Sequence, residues 1–286
     1  MNILVCIKQV PDTTEIRMDP KTNTLIRAGV PSTVNPFDKY ALEAAVQLRE
    51  ALGGTVTAMT MGPAQAAQAL RECYALGADR MVLVSDRRFG GADTYATSYT
   101  LAQAVRALGG FDLILCGRQA IDGDTAQVGP QVAEKLGLPQ VTYAEEILEV
   151  REGALVIKRR LEHGTEVVEC PIPAVVTVNA SAAECRPRNA KRVMKYKGAL
   201  AGSEIAAAPE SPAAQRAAAK EYLRIVEWAA ADVDPDPAQL GLQGSPTKVK
   251  RIENVVFAAK EAKKLTAADN DINELMVELI ASHTLG

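Results

Sequence analysis

The sequence is poor in the residues that most catalytic chemistry uses. Only two of its 286 residues are histidine, His163 and His283. Each lies in a polar stretch with no candidate nucleophile nearby, and histidine is the commonest general acid or base, so nothing supports a hydrolytic triad. The five cysteines, Cys6, Cys73, Cys116, Cys170 and Cys185, are odd in number and form no C-x-x-C pair. That argues against a metal site and for reduced thiols in a cytoplasmic chain. Cys6 and Cys116 fall in apolar runs and read as small buried hydrophobes. Aromatics are 4% of the chain, which leaves Ala, Val, Leu and Ile to build the core. A net charge of −3, with no basic stripe interleaved with aromatics, gives no reason to expect nucleic acid. No apolar run approaches the ~20 residues of a membrane span. The N-terminus enters a strand pattern directly, so no signal peptide is expected.

What remains is the composition of a globular chain, 48% hydrophobic and 23% charged, long enough for one large domain or a domain with appendages. Its first half alternates strand-like runs with helical patterns. The runs are ILVCIKQV (3–10), TVTAMTM (55–61), RMVLVSD (80–86), FDLILCG (111–117) and, after a gap, PAVVTVN (173–179). Between them, residues 38–54, 63–78 and 93–110 carry apolar residues at helical spacing, as in Ala41, Ala45, Leu48 and Leu52, and each has glycine at or beside its end. Runs that are apolar throughout are covered on both faces. The pattern predicts an α/β fold, an open and mostly parallel sheet with helices on both sides.

Three regions break the alternation. Residues 19–34 read as a small hairpin around 24–26. Residues 154–169, alternating on either side of turn formers at 162–165, read as an antiparallel hairpin added to the sheet. After residue 179 the chain becomes basic (180–200), then Ala- and Pro-rich like a linker or loose helix (205–222). It continues as a Pro- and Gly-punctuated arm (233–250) and ends in an amphipathic helix. The expected division is a domain over 1–200 and a C-terminal arm over 201–286.

In open parallel sheets ligands sit beyond the carboxyl ends of the strands. The segments leaving those ends include residues 8–12, 61–65, 85–94 and 117–129. The last, GRQAIDGDTAQVG, fits neither common glycine-rich phosphate motif. Pro130 tolerates only the first turn of a helix, so a helix should begin within 126–130 and end before Gly137. The amides of 123–129 are then free to bind an anion, helped by the helix dipole and by Arg118. Asp122 and Asp124 would repel phosphate and so should cap the helix or turn, or accept from ribose or adenine. A capped loop that binds nothing is the competing reading. In FGGADTYATSY (89–99) the Gly90–Gly91 pair admits a ligand or makes an ordinary turn, and Asp93 or Thr94 suits an N-cap. In VNPFDKYALEAA (34–45), Asp38 can cap the following helix.

These strings, above all GRQAIDGDTAQVGPQVAEKLGLPQVTY, with ILVCIKQVPD, VNPFDKYALEAA, MGPAQA, ALGADR, PAVVTVN and GLQGSPTKV, resemble the β subunit of electron-transfer flavoproteins, including FixA-type proteins. The resemblance implies a Rossmann-like (adenine-nucleotide α-hydrolase-like) domain that buries an adenine nucleotide. It implies a heterodimer with an α subunit that carries FAD, with the C-terminal arm on that subunit. Carried over by position, the nucleotide contacts are Cys6, Asn35, Pro36, Phe37, Asp38, Met61 and the loop Gly117, Arg118, Gln119, Ala120, Ile121, Asp122, Gly123, Asp124, Thr125, Ala126, Gln127 and Val128.

In ordinary members the nucleotide is structural AMP. In electron-bifurcating members it is a second FAD that takes hydride from NADH. FGGADTYATSY resembles the bifurcating type, which implies FAD with NAD(H) and adds Gly90, Gly91, Asp93, Thr94 and Thr97 as contacts, the two glycines letting a dinucleotide lie flat. Electrons would pass on to a flavin-dependent dehydrogenase and to ferredoxin or flavodoxin. Residues 184–197 occupy the place of the loop that docks the dehydrogenase, with Ala190 near the position of the family's leucine anchor and a charge surplus suited to an acidic partner. A universal-stress-type nucleotide-binding protein without redox function is the reading from another class, and the long loop string argues against it.

Overall fold

The computed structural model describes residues 1–12, 31–249 and 262–285; the hairpin expected around 24–26 lies outside them. Residues Met1–Lys248 form one compact unit and Val249–Gly286 a second. In chain order the first unit contains β1 (Asn2–Cys6), β2 (Gln9–Pro11), β3 (Ser32–Val34), α1 (Pro36–Leu52), β4 (Thr55–Met61), α2 (Ala67–Leu76), β5 (Arg80–Val84), α3 (Thr94–Leu108), β6 (Leu113–Gly117) and α4 (Val128–Leu136). It continues with β7 (Gln140–Arg151), β8 (Ala154–Leu161), β9 (Gly164–Pro171), β10 (Ala174–Val178), α5 (Ala190–Tyr196), β11 (Leu200–Ala201), α6 (Gly202–Ala207), α7 (Pro212–Ala219), β12 (Arg224–Trp228) and α8 (Ala230–Val233). The second unit holds α9 (Asp269–Ala281).

Among the described residues, ten strands form one sheet in the order β11-β12-β5-β4-β1-β6-β10-β7-β8-β9. It is parallel from β11 to β7 and antiparallel at β8 and β9. This is the open, mostly parallel α/β architecture that the alternation predicts, in the Rossmann-like form that the resemblance implies. Because strand side chains alternate, each buried strand feeds two cores. Ile3, Val5 and Ile7 face one core, with Leu42, Val46 and Leu70 from α1 and α2. Leu4 faces the other, with Leu101 and Val105 from α3 and Val132 from α4. The antiparallel hairpin is present as β8 and β9, turning at residues 162–163.

The boundary expected at residue 200 falls inside the compact unit. Strands β11 and β12 extend the parallel sheet beyond β5, with Val226 opposite Val82 and Trp228 opposite Val84. Between them, the Ala- and Pro-rich stretch that reads as a linker or a loose helix folds into α6 and α7, whose buried residues are the small Ala214 and Ala217. A helix packed through alanines carries little hydrophobic contrast, and a five-residue strand little length. The 233–248 segment is no extended arm either: it buries Leu240 and turns back onto residues 88–93.

The basic stretch after β10 is also ordered by its own unit. Asn189 caps α5 through the Arg192 amide, and Tyr196 stacks on Tyr74 of α2 with ring centroids 4.1 Å apart. Arg186 donates to Glu43 and Glu50 on α1. Burial alone would raise Glu43, but the Arg186 guanidinium and amide hold its carboxyl below the usual range. Within the second unit, α9 carries Ile272, Leu275, Met276 and Ile280 at helical spacing, all exposed. Among the described residues no helix is long and apolar enough to cross a membrane.

Candidate functional site

Strand β1 is the pivot of the sheet. The chain moves outward through β4 and β5 on one side, then returns to β6 on the other. The loops leaving β1 and β6 therefore diverge and open a crevice at the carboxyl edge, where α/β sheets hold their ligands. Cys6 and Cys116 lie opposite each other there, at or near the ends of these two strands. A hydrogen bond with Cys6 and burial push the Cys116 thiol up, so Cys116 is a neutral lining group. Met61 ends β4 on the same side of the sheet, against the core beneath α3 and α4.

One wall is the first turn of α1. Gly117 lets it lean on the end of β6: a Cβ there would meet the Phe37 carbonyl carbon at 2.6 Å and the Asp38 amide nitrogen at 2.7 Å. Pro36 occupies the first turn, where its missing N–H costs nothing. The expectation that Asp38 caps α1 is not met; it is buried in the first turn and accepts from the Lys8 amide at 2.7 Å and from Asn35 Nδ2 at 2.9 Å. Asn35 also makes no side-chain cap. Its amide group reaches across, donating to the Gln119 carbonyl at 2.8 Å and accepting from the Ile121 amide at 3.2 Å. A single buried asparagine thus ties the β1 exit, α1 and the β6 loop together.

Burial pushes the Asp38 carboxyl up to about 7, against the N–H groups of Asn35, Lys8 and Gly117 and the Lys8 charge. An unfolded aspartate titrates near ~3.9, so the folded state holds this proton more tightly. The resulting stabilisation is complete below about pH 4 and is lost as pH rises to about 7. In urea titrations the stability of the wild type relative to Asp38→Asn should fall across that window, with a slope of up to about 1.4 kcal/mol per pH unit, and then level off. A difference that grows with pH would mean that the donors rather than burial govern the carboxyl.

The β6 loop spans residues 117–128. The Arg118 guanidinium lies 5.1 Å from the Phe37 ring centroid and 5.6 Å from that of Tyr143. It donates to Gln119 Oε1 at 3.0 and 2.7 Å, and Gln119 Nε2 donates to Asp124 Oδ1 at 2.7 Å. Lys8 Nζ sits 2.5 Å from Asp122 Oδ1. Both aspartates have partners within the protein, and of the roles open to them the capping of α4 is not taken up. The Gly123 and Asp124 amides donate back to the Ala120 carbonyl. Asp124 and Ala126 then take positive φ, 50° and 52°, and Gln127 returns to the right-handed region at φ −102°, ψ −28°.

That alternation of hand makes a concave run of amides, a form that binds anions. Helix α4 begins at Val128 with no side-chain cap, inside the range that Pro130 predicts. Among the described residues, the amides of Thr125, Ala126, Gln127, Val128 and Gly129 donate to no protein acceptor. Five consecutive unpaired amides at the positive end of a helix are the strongest feature of the site.

The third wall is the start of α3. Asp93 is its N-cap, accepting from the Ala96 amide at 3.0 Å. Thr94 Oγ1 donates to Gln127 Oε1 at 2.9 Å, and Ser98 Oγ to Gln131 Oε1 at 3.1 Å. The structure thus joins Thr94 to the β6 loop; Thr97 lies one residue before Ser98 on α3. The two glycines before Asp93 also meet another part of the chain. The Leu242 amide donates to the Gly90 carbonyl at 3.0 Å, and a Cβ on Gly91 would meet Leu242 Cβ at 3.2 Å. Asp93 Oδ2 in turn accepts from the amide and hydroxyl of Thr247. Gly91 makes room for the chain's own 241–247 turn. Lys8 falls in the 8–12 segment expected at the ligand edge, while Tyr143, Gln131 and Thr247 are not among the expected site residues. Their partners come from a distant stretch of sequence or a neighbouring helix, 114 residues away for Lys8 and Asp122.

Residues 22–231 match the electron transfer flavoprotein domain family. The chain is 48% identical over 249 residues to electron transfer flavoprotein subunit beta of Thermoanaerobacterium thermosaccharolyticum, covering 87% of this chain and 86% of that one. It is 46% identical over 252 residues to the caffeyl-CoA reductase–Etf complex subunit CarD of Acetobacterium woodii, covering 88% and 87%. To protein FixA of Azorhizobium caulinodans it is 44% identical over 277 residues, covering 94% and 89%. Similarity of this extent means that the chain belongs to the electron transfer flavoprotein family, among its β-subunit and FixA members.

Proposed function

We propose that this chain is the nucleotide-holding half of a heterodimeric electron carrier. It binds an adenylate-bearing cofactor in the crevice between β1 and β6 and pairs with an α subunit that carries FAD. The observation that carries this reading is the run of unpaired amides from Thr125 to Gly129, which offers phosphate oxygens the donors that the folded chain leaves unused. Cys6, Met61 and the first turn of α1 line the space for the adenosine end.

The cofactor in the leading reading is FAD, which accepts hydride from NADH and passes electrons to the α-subunit flavin, a flavin-dependent dehydrogenase and ferredoxin or flavodoxin. Similarity to a subunit of a caffeyl-CoA reductase–Etf complex favours it. In hydride transfer the protein's own part is to orient the rings and exclude water. The second reading is structural AMP in the same crevice. The Leu242 turn lying over Gly91 favours it, because it covers the surface on which a second flat ring system would rest. Co-purification with the α subunit, denaturation and quantification of the released cofactors separate the two. Two FAD per heterodimer support the first, one FAD with one AMP the second, and no nucleotide beyond the α-subunit flavin contradicts both.

Helix α5 and its flanks are the docking element for the dehydrogenase in this reading. Ala190 lacks the bulk of an apolar anchor, but Val193 and Met194 are 40% and 70% exposed, among Lys191, Lys195 and Lys197. That arrangement suits a partner with an apolar socket ringed by carboxylates. The exposed face of α9 supplies the contact with the α subunit.

A further inference from the structure

Tyr143 stands at φ +58°, a conformation that bulky L residues avoid. It lies in strand β7, where the ladder to β10 slips between Val176 and Val178. The slip is locked from outside the ladder: the Tyr143 amide donates to Thr177 Oγ1 at 3.2 Å. The methyl of the same threonine lies 2.6 Å from where a Cβ on Gly129 would fall. One residue therefore fixes both the kink at 143 and the turn of α4 that carries the unpaired amides. Bulges next to binding sites commonly re-aim a side chain. This one brings the Tyr143 ring to the Arg118 guanidinium, with Phe37 also within cation–π range. From Arg118 a hydrogen-bonded relay runs through Gln119 to Asp124, at the bend of the loop.

We propose that Tyr143 is a positioning residue for the phosphate-binding loop. With Phe37 it forms an aromatic slot that keeps the Arg118 charge at the loop's origin and, through Gln119, holds the bend from which the free amides point. The strained backbone at 143 is the cost of placing that ring. This inference rests on the nucleotide-binding reading above.

The test uses the full chain co-purified with its α subunit and stripped of nucleotide, with AMP as the titrant because both candidate cofactors contain it. Wild type, Tyr143→Gly, Tyr143→Phe, Arg118→Gln and the double variant Tyr143→Gly/Arg118→Gln are compared by calorimetric titration and thermal unfolding. Tyr143→Gly should weaken AMP by about tenfold, the scale of a partly desolvated cation–π contact, without lowering the unfolding temperature, because glycine accepts the positive φ. Tyr143→Phe should bind as wild type does. In the Arg118→Gln background Tyr143→Gly should add little, since the two changes remove the same interaction. Unchanged affinity in Tyr143→Gly, or an equal loss with and without Arg118, overturns the proposal. A wild-type heterodimer that binds no AMP fails at the earlier step and overturns the nucleotide reading together with it.

Discussion

Gly117→Ala should destabilise the chain by about 3 kcal/mol in urea unfolding, the upper range for a side chain forced into packed surroundings, and should abolish nucleotide retention. The added methyl meets the Phe37 carbonyl carbon at 2.6 Å, the Asp38 amide nitrogen at 2.7 Å and the Asp38 carboxylate. Two of these are backbone atoms in the first turn of α1, so no rotamer change relieves the contact. The helix itself must move, and it is anchored by Ala41, Leu42, Ala45 and Val46, all buried in the core. Any such movement also carries Asn35 away from the Gln119 carbonyl and the Ile121 amide, so the β6 loop loses its inner support. A variant of wild-type stability that still co-purifies with nucleotide would show that α1 is not seated as described.

The second large effect comes with its own rescue. Gly129→Ala puts a methyl 2.6 Å from Thr177 Cγ2, a contact that displaces the first turn of α4. A cost of roughly 1–3 kcal/mol should accompany a loss of nucleotide affinity, because the displaced turn carries the unpaired amides. Thr177→Ser removes only the offending methyl and keeps the oxygen that accepts from the Tyr143 amide. The double variant Gly129→Ala/Thr177→Ser should therefore recover most of both losses, a coupling that neither single change shows. Additive losses in the double variant would mean that Gly129 matters for some reason other than close approach.

Much of this arrangement is legible in the order of the amino acids. Runs that are apolar throughout, such as 111–117, announce strands covered on both faces, and the two cores supplied by β1 answer to that pattern. Pro130 sets the start of α4 through the chemistry of its missing N–H, and Asp93 is recognisable as a cap. What escapes is of two kinds. The extension of the sheet by β11 and β12 is hidden because α6 and α7 pack through small or exposed residues and leave no hydrophobic rhythm. The partners of the site residues are hidden because they come from far away. Asp122 offers an acceptor in the sequence, and the fold sets Lys8 beside it; Gly91 offers bare backbone, and the fold sets Leu242 against it. Local chemistry identifies a residue's capacity; only the topology decides which partner claims it.

In the proposed function the amides of residues 125–129, left unpaired where the β6 loop enters α4, hold the phosphates of an adenylate cofactor. The most direct measurement is a structure of the co-purified heterodimer with its nucleotide bound. Phosphate oxygens should lie within hydrogen-bond distance of at least two of those amides, with Asp122 still paired to Lys8. Phosphates held by other groups, or a crevice between β1 and β6 that contains no nucleotide, would contradict it.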